Sequence, residues 1–490
     1  MRHTSVVIAG GGPVGMLVAA EMGRYGIDTV VLEAAEGLSD QPKANTLHAR
    51  AVQSLARCGY LNALPEVRRR SSAASFHFAG MPGLTITAPD FEPQPIVKCP
   101  QTELQLAFEA RARATGVDIL RGHRLVAVDQ STDQVELTVE GTQGRRRLRA
   151  DYLVGADGAH STVRKQLAVP IETSPPSLSA MMGVVRFTHA GTAPSGWQRT
   201  RRGWTVTRPY LDGHSLIRTV NTSGPHADRH APLTLEELQD EASYIVGRHV
   251  AMTEPLHLTR FSDVTTLASK FRDRRVFLVG DAAHVHFPIG GQGLSTGIQD
   301  ALNLGWKLAH AVRGHAGNGV LDTYDLERRP AAMRVIENTR AQLSLMRPDE
   351  SFDALRSCFE GLMQDDQGGA HLAGIVSAQN TRYPPRGVGD CGAEGQFLAN
   401  AALVTAAGHG DLVSLLNDGR MLLLLPVSTA DRYLPQAQPW AALLNTVQVM
   451  PQSDLGDRAL LVRPDGYIAW SQDGATPLGT SLLAWLGPGA

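Results

Sequence analysis

A chain of 490 residues with 46 Lys and Arg against 48 Asp and Glu, formal charge -2, has no electrostatic footprint for nucleic acid. Its 43% hydrophobic content excludes a disordered chain, and its length calls for roughly two to four domains, enough to enclose a large cofactor. The longest apolar run, Met421–Val427, is too short to span a membrane, and Met1–Ser5 leads straight into a strand without the apolar stretch of a signal peptide, so a cytoplasmic protein with no membrane partner is expected.

In chain order, Ser5–Ala9 reads as a buried strand, Gly10–Gly15 as a tight turn, Met16–Tyr25 as a helix and Thr29–Glu33 as the next strand. This is a βαβ unit. The Pro- and Gly-rich stretch 80–100 reads as extended segments, and Leu104–Thr115 as an amphipathic helix. Val135–Val139 and Arg147–Val154 form a predicted hairpin feeding a strand. Residues 181–263 are dominated by β-type sequence, as in Trp204–Thr207 and Leu216–Val220. Arg275–Val279 is a further strand, followed by a glycine-rich turn, a helix over Leu294–Val312 and another over Asp322–Met346. Arg382–Val388 reads as a linker. Beyond it Arg420–Pro426 and Arg458–Arg463 read as strands, with Pro464-Asp465-Gly466 as a turn. The expected division is a nucleotide domain over 1–180, to which 76–97 is an exception that joins a sheet domain at 181–263, a return to the nucleotide domain at 264–385, and a separate α/β domain at 386–490.

Three motifs carry chemistry. Gly10, Gly12 and Gly15 form a GxGxxG between a strand and a helix, where glycines let the backbone approach a pyrophosphate and the helix N-terminus favours an anion. Glu33 closes the next strand, placed to accept hydrogen bonds from a ribose; together they predict dinucleotide binding. The second motif, Val154–Arg164, holds Asp157 and Gly158 on a strand-to-helix turn, which by itself is equally well ordinary turn chemistry. The third runs from Gly280-Asp281-Ala282-Ala283-His284 through Pro288-Ile289-Gly290-Gly291-Gln292-Gly293-Leu294-Ser295. There a carboxylate ends a strand and a second glycine-rich turn opens a helix whose free N–H groups at Leu294 and Ser295 face an electron-rich atom. Leu294, Ile298, Ala301, Leu302 and Ala309 make its apolar stripe. His284 and His286 read as packing or hydrogen-bonding groups, since no third metal ligand accompanies them. Cys58, Cys99, Cys358 and Cys391 contain no CxxC pair and read as ordinary thiols.

Together and in this order the motifs resemble the FAD-dependent aromatic hydroxylases, the p-hydroxybenzoate hydroxylase superfamily of class A flavoprotein monooxygenases. Within it the likeness is to the polyketide-tailoring branch, which hydroxylates anthracycline, angucycline and tetracycline skeletons. Gly280–Leu308 is the most specific stretch, supported by Tyr324–Pro330. The resemblance implies an α/β fold: a Rossmann-like FAD-binding domain, an inserted β-sheet substrate domain and a C-terminal thioredoxin-like domain. Cys391 is the only cysteine of that last domain, which therefore reads as structural or oligomer-related.

By the same resemblance Gly10, Gly12 and Gly15 cradle the FAD pyrophosphate, Glu33 binds the adenosine ribose and Arg50 touches the pyrophosphate. Gln101 lies beside the ribityl chain, Leu125 offers a backbone contact to adenine, Asp281 binds the ribityl group, and Asp157 and Gly158 contact FAD and NADPH. Val14, Pro288, Gly291, Gly293, Leu294 and Ser295 complete the candidate contacts. Phe287 stands where relatives often carry proline, and Ser295 where they often carry asparagine; if position 295 acts through its backbone N–H, its side chain matters little.

The implied activity is hydroxylation of an aromatic, polycyclic polyketide phenol by a monomer or homodimer that holds FAD noncovalently and consumes NADPH and oxygen through a flavin C4a-hydroperoxide. No side chain is required as a covalent catalyst, and no base is named. Baeyer–Villiger insertion, antibiotic-inactivating hydroxylation, a flavin-dependent dehydrogenase or reductase, and a non-enzymatic flavin-binding partner are the alternatives. A halogenase is disfavoured by the lack of a tryptophan-rich GWxWxIP-like segment. Because only one GxGxxG-plus-acid fingerprint is present, FAD takes it, and NADPH is expected to meet a flavin that swings outward.

Overall fold

Val6–Ala9 is apolar on both faces, as a strand covered by helices on each side must be, and it lies at the centre of the principal sheet. The computed structural model describes residues 2–489 apart from 40, 65–70, 190–192, 227, 229–230, 407 and 454. The strand Arg2–Ala9 pairs in parallel with Thr29–Glu33 on one side and with Gly144–Gly155 on the other. Val276–Leu278 extends the sheet in parallel beyond Gly144–Gly155, and Asp118–Arg121 beyond Thr29–Glu33. The expected hairpin is present, as Val135–Gly141 paired antiparallel with the near half of the long strand Gly144–Gly155. Helix Pro13–Arg24 packs between the helices Gln101–Ala114 and Gly293–Val312. Its Gly23 has no room for a side chain, since a Cβ would fall 1.9 Å from Thr115 Oγ1.

Residues 179–262 build a second, antiparallel sheet of five strands in the order Gly196–Thr200, Gly203–Pro209, Ser215–Asn221, Ser179–Phe187, Met252–Ser262. Helix Leu235–Val246, unanticipated from the sequence, covers one face through Leu238, Ala242 and Ile245. The stretch 80–100 contributes half of the hairpin Ala73–Phe78 with Met81–Thr87, and the short strand Ile96–Lys98. A third sheet, of six strands, occupies residues 402–471. In it Met421–Pro426 runs parallel to Leu444–Val449 and antiparallel to Leu460–Val462, the mixed arrangement of the thioredoxin-like domain. The fold is therefore α/β, as expected, with a Rossmann-like parallel sheet, an inserted antiparallel sheet and a thioredoxin-like C-terminal unit. No helix among the described residues is long and apolar enough to cross a membrane.

The helix Gly293–Val312 departs from the amphipathic pattern, because it is buried all round from Leu294 to His310. Asp300, Asn303 and Lys307, spaced as neighbours on one helix face, are thus dry and must be partnered. Arg328 Nε lies 2.7 Å from Asp300 Oδ1. Lys307 Nζ donates to Glu327 Oε2 at 2.7 Å and to Asn303 Oδ1 at 2.8 Å. From the C-terminal sheet, Arg463 grips Glu327 with both terminal nitrogens, at 2.7 and 2.9 Å, and also binds Asp465. The Pro464-Asp465-Gly466 turn is therefore a buried docking device. Burial alone would raise the Glu327 carboxyl, but Arg463 and Lys307 outweigh it and hold it at about 2. Burial pulls Lys307 down to about 7 against the attraction of Glu327, leaving Arg463 as the permanent cation of the cluster.

Removing one member of such a cluster leaves a buried charge uncompensated. Glu327→Gln should therefore lower stability in urea melts by about 3–5 kcal/mol. With the folded carboxyl at about 2 against an ordinary 4.5, the stability it carries is complete above pH 4.5 and is lost as the pH falls toward 2. Acid titration followed by tryptophan fluorescence should lose that component in Glu327→Gln; an unchanged acid transition would contradict the assignment.

Candidate cofactor site and substrate cleft

All three motifs leave the principal sheet at the carboxyl ends of adjacent parallel strands, the edge at which open α/β sheets bind ligands. The first turn is in contact with the second: a Cβ on Gly10, whose φ is +105°, would lie 2.3 Å from Ala156 O, and one on Gly15 would lie 2.1 Å from Gly10 O. It also meets the third, since Val14 packs against Gly280 and a Cβ on Gly297 would fall 2.6 Å from Val14 Cγ2. Gly12 differs, because nothing lies within 4 Å of where its Cβ would be. It caps helix Pro13–Arg24 without any side-chain acceptor, which leaves the first-turn N–H groups of Val14 and Gly15 uncapped by a side chain. Gly158, φ +78°, faces open space in the same way.

Glu33 is fixed by its own turn: Oε2 accepts from Gly11 N at 2.6 Å and Oε1 from Ala35 N at 2.7 Å. Gln105 Nε2 donates to Gly11 O at 2.6 Å, a contact on the glycine turn that sequence reasoning missed. Gln101 opens the helix Gln101–Ala114, its backbone N–H donating to Ala44 O. Leu125 buries its side chain beside a strand irregularity between Leu125 and Ala127. Asp157 proves to be a turn organiser, accepting from Ser161 Oγ at 2.5 Å and from the N–H groups of Thr162 and Val163. Arg164 then joins the second motif to the third by donating to Ala282 O at 2.7 Å.

Asp281 follows the strand Val276–Leu278 and is exposed. Solvent reaches its carboxylate, the surrounding protein raises its pKa by burial, and no described residue hydrogen-bonds it. Its backbone is held from beneath. Asp300 Oδ2 accepts from Gly280 N at 3.1 Å and from His284 Nε2 at 2.7 Å. Although burial opposes it, the charges of Arg328 and His284 lower the Asp300 pKa, so this anchor is ionised. Gln292 precedes helix Gly293–Val312 without capping it and instead accepts from Asn338. The N–H groups of Gly293, Leu294 and Ser295 are thereby left free for a ligand. Gly290 and Gly291 take positive φ in the turn, and Pro288 is exposed at its rim.

Two expectations change. Ser295 does not act through its backbone alone, because its Oγ accepts from His48 N at 3.0 Å and so ties the helix start to the segment Thr46–His48. Arg50, expected at a pyrophosphate, is buried against the C-terminal unit: it donates to Gln53 Oε1 at 2.9 Å and Gln379 O at 2.7 Å, and its guanidinium lies 3.6 Å from the centre of the Phe397 ring. His48, a residue the sequence did not single out, donates from Nε2 to Gly290 O at 2.7 Å and is kept neutral by burial, its pKa lowered to about 4. His286 is likewise lowered to about 4 by burial and donates from Nδ1 to Phe287 O.

Beyond the third turn, Phe287 meets Phe261 of the five-stranded sheet with ring centres 5.6 Å apart. Phe76 and His77 stack at 4.6 Å, and His77 tilts against Trp197 at 4.7 Å. The third glycine turn therefore adjoins a group of half-buried aromatic side chains from the hairpin Ala73–Thr87 and the five-stranded sheet. Two uncapped helix ends, a glycine without overlying atoms and an unpartnered carboxylate are the donor set that a flavin dinucleotide needs: N–H groups for phosphate and ring, an acceptor for its polyol chain.

Residues 3–339 match the family model for an FAD binding domain, and residues 392–489 match that for the aromatic-ring hydroxylase C-terminal region. Over its whole length the chain is 34% identical to all of the 12-dehydrotetracycline 5-monooxygenase/anhydrotetracycline 6-monooxygenase of Streptomyces rimosus. It is also 34% identical to a rifampicin monooxygenase of Streptomyces venezuelae, over 98% of each chain. The solved structure of the anhydrotetracycline hydroxylase of Streptomyces rimosus superposes with a TM-score of 0.89, covering 100% of both chains at 33% identity. These likenesses run through both the cofactor site and the C-terminal unit, and the chain is thus a member of the FAD-dependent aromatic-ring hydroxylase family of monooxygenases.

Proposed function

We propose that the enzyme hydroxylates a fused-ring, polyketide-type phenol with NADPH as electron donor, acting in the cytoplasm as a monomer or homodimer. The observation that carries this reading is the meeting of the three glycine turns with one another and, at the third, with the aromatic rings of Phe76, Phe261 and Phe287, which would set a planar ring beside the flavin. Its support is full-length likeness to enzymes named for tetracycline and rifampicin substrates. Bound FAD would supply the redox chemistry, accepting hydride and delivering activated oxygen to the ring.

The chain's own part is binding, orientation and electrostatics. The first-turn N–H groups of Val14 and Gly15 and the backbone at Gly158 would receive the pyrophosphate side, and Glu33 the ribose. Asp281 would hold the ribityl hydroxyls. Leu294 and Ser295 N–H groups would stabilise negative charge on the reduced ring, at no reorganisation cost because Ser295 Oγ and Asp300 already fix the turn. Phe261, Phe287 and Phe76 would orient the substrate ring and exclude water.

Purified protein should be yellow and release its flavin on acid precipitation. Asp281→Ala should weaken FAD retention by about 1.5–3 kcal/mol, since an acceptor for a charge-assisted hydrogen bond is deleted. Arg50→Ala should keep FAD affinity within about threefold and lower the melting temperature, because its guanidinium packs on Phe397. Flavin titration of the apoprotein measures both, and the reverse ranking would place Arg50 at the cofactor. In anaerobic stopped-flow, NADPH should bleach the flavin much faster with a substrate phenol bound than without it. Equal rates would contradict substrate-gated reduction, and NADPH oxidation without substrate-dependent oxygen uptake would favour a dehydrogenase.

A further inference from the structure

Arg208 and Arg218 are the unspent charges of the substrate cleft. Val206 pairs with Arg218 and Arg208 with Leu216 in the antiparallel strands Gly203–Pro209 and Ser215–Asn221, so the two arginines are diagonal neighbours on one face. Across the next strands the same face carries Met182, paired with Arg218, and Phe261, paired with Ala180. Phe261 touches Phe287, so this face looks toward the third glycine turn, while the opposite face is covered by helix Leu235–Val246. From the side of the third glycine turn Lys98 comes within reach of the Arg208 charge, its Nζ donating to Thr46 Oγ1 at 2.9 Å. Thr46 in turn lies beside Gly291, 3.8 Å from where that residue's Cβ would be.

Among the described residues no carboxylate pairs with these cations. Among the described residues Arg208 and Arg218 have no ion pair and no side-chain hydrogen bond, and Arg218 Nε is buried without a partner. The contrast within this protein is sharp, since Arg57, Arg328 and Arg463 are all buried and all paired with acids. Burial and then Arg208 push the Arg218 pKa down to about 10, and burial and then Arg208 also lower Lys98, so the three are near enough to disfavour one another's charge. Half-buried guanidinium groups kept together without a counter-ion are suited to an anion that arrives with the ligand.

We propose that Lys98, Arg208 and Arg218 are the anion-recognising end of the substrate cleft, selecting fused aromatic substrates that carry a carboxylate or an ionised enol. This rests on the hydroxylase reading for the word substrate, but the binding preference is read without turnover, so either can fail alone. The probes are rhein, a dihydroxyanthraquinone carboxylate, and aloe-emodin, which bears a hydroxymethyl group in place of the carboxylate. Titrated into FAD-loaded enzyme and followed by flavin fluorescence, rhein should bind about tenfold more tightly than aloe-emodin. The double variant Arg208→Gln/Arg218→Gln should abolish that preference by weakening rhein alone, while Arg218→Lys retains part of it. Should the double variant fail to load FAD, Arg208→Gln by itself should at least halve the preference. Equal affinity for the two compounds in the wild type, binding of neither, or equal loss of both in the variants overturns the proposal. So does a variant that keeps the rhein preference and instead raises the NADPH concentration needed for half-maximal flavin reduction, which would assign the cations to the nicotinamide cofactor's phosphates.

Discussion

Asp300, wholly buried in the middle of helix Gly293–Val312, holds three groups at once: Gly280 N, His284 Nε2 and Arg328 Nε. A dry carboxylate cannot be left unpaired, so the helix, the turn bearing Asp281 and the helix Asp322–Leu345 have one mutual arrangement that satisfies it. Everything that faces the cofactor from this side inherits that arrangement. Asp281 can stand unpartnered in the cleft because the backbone on either side of it is fixed by a neighbour that is fully paired.

The same helix carries the constraint to the far side of the molecule. Two turns beyond Asp300, Lys307 meets Glu327, which Arg463 reaches from the C-terminal sheet. The C-terminal unit is tied down again where Arg57 and Glu92 form a buried bidentate pair whose members also bind Leu398 O and Asn400 N. Tyr25 OH donates to Gly419 O at 2.7 Å at the end of helix Pro13–Arg24. This unit lacks a CxxC pair, and its contacts are those of a clamp on the helices that frame the cofactor site.

Charge is therefore used in two ways. In the frame Lys307, Arg328, Arg463 and Arg57 are matched by acids, and the return is a unique geometry. In the cleft Lys98, Arg208 and Arg218 are left without acids, and Asp281 without a donor, so that ligands complete them. A preorganised site must keep such groups from collapsing onto one another. Here they project from different elements: Lys98 from the strand Ile96–Lys98, Arg208 and Arg218 from neighbouring strands of the five-stranded sheet, and Asp281 from the turn that Asp300 holds.

The sequence by itself determined the βαβ unit at the N-terminus, the three glycine turns and the acids Glu33 and Asp281, because short-range rules govern them: glycines at fixed spacing between a strand and a helix, and a carboxylate at a strand end. It also determined the sheet-rich middle. Local turn chemistry already accounts for Asp157, whose acceptors serve Ser161, Thr162 and Val163, but local pattern could not tell that Arg50 turns to Phe397 or that Ser295 Oγ binds His48 N, since each depends on a partner brought from elsewhere in the chain. Periodicity likewise read Gly293–Val312 as a helix with one apolar face, whereas tertiary packing buries it all round and turns Asp300, Asn303 and Lys307 into the centre of an ionic frame. Which charges are paired and which await a ligand is settled by residues distant in sequence, so only the folded chain decides it.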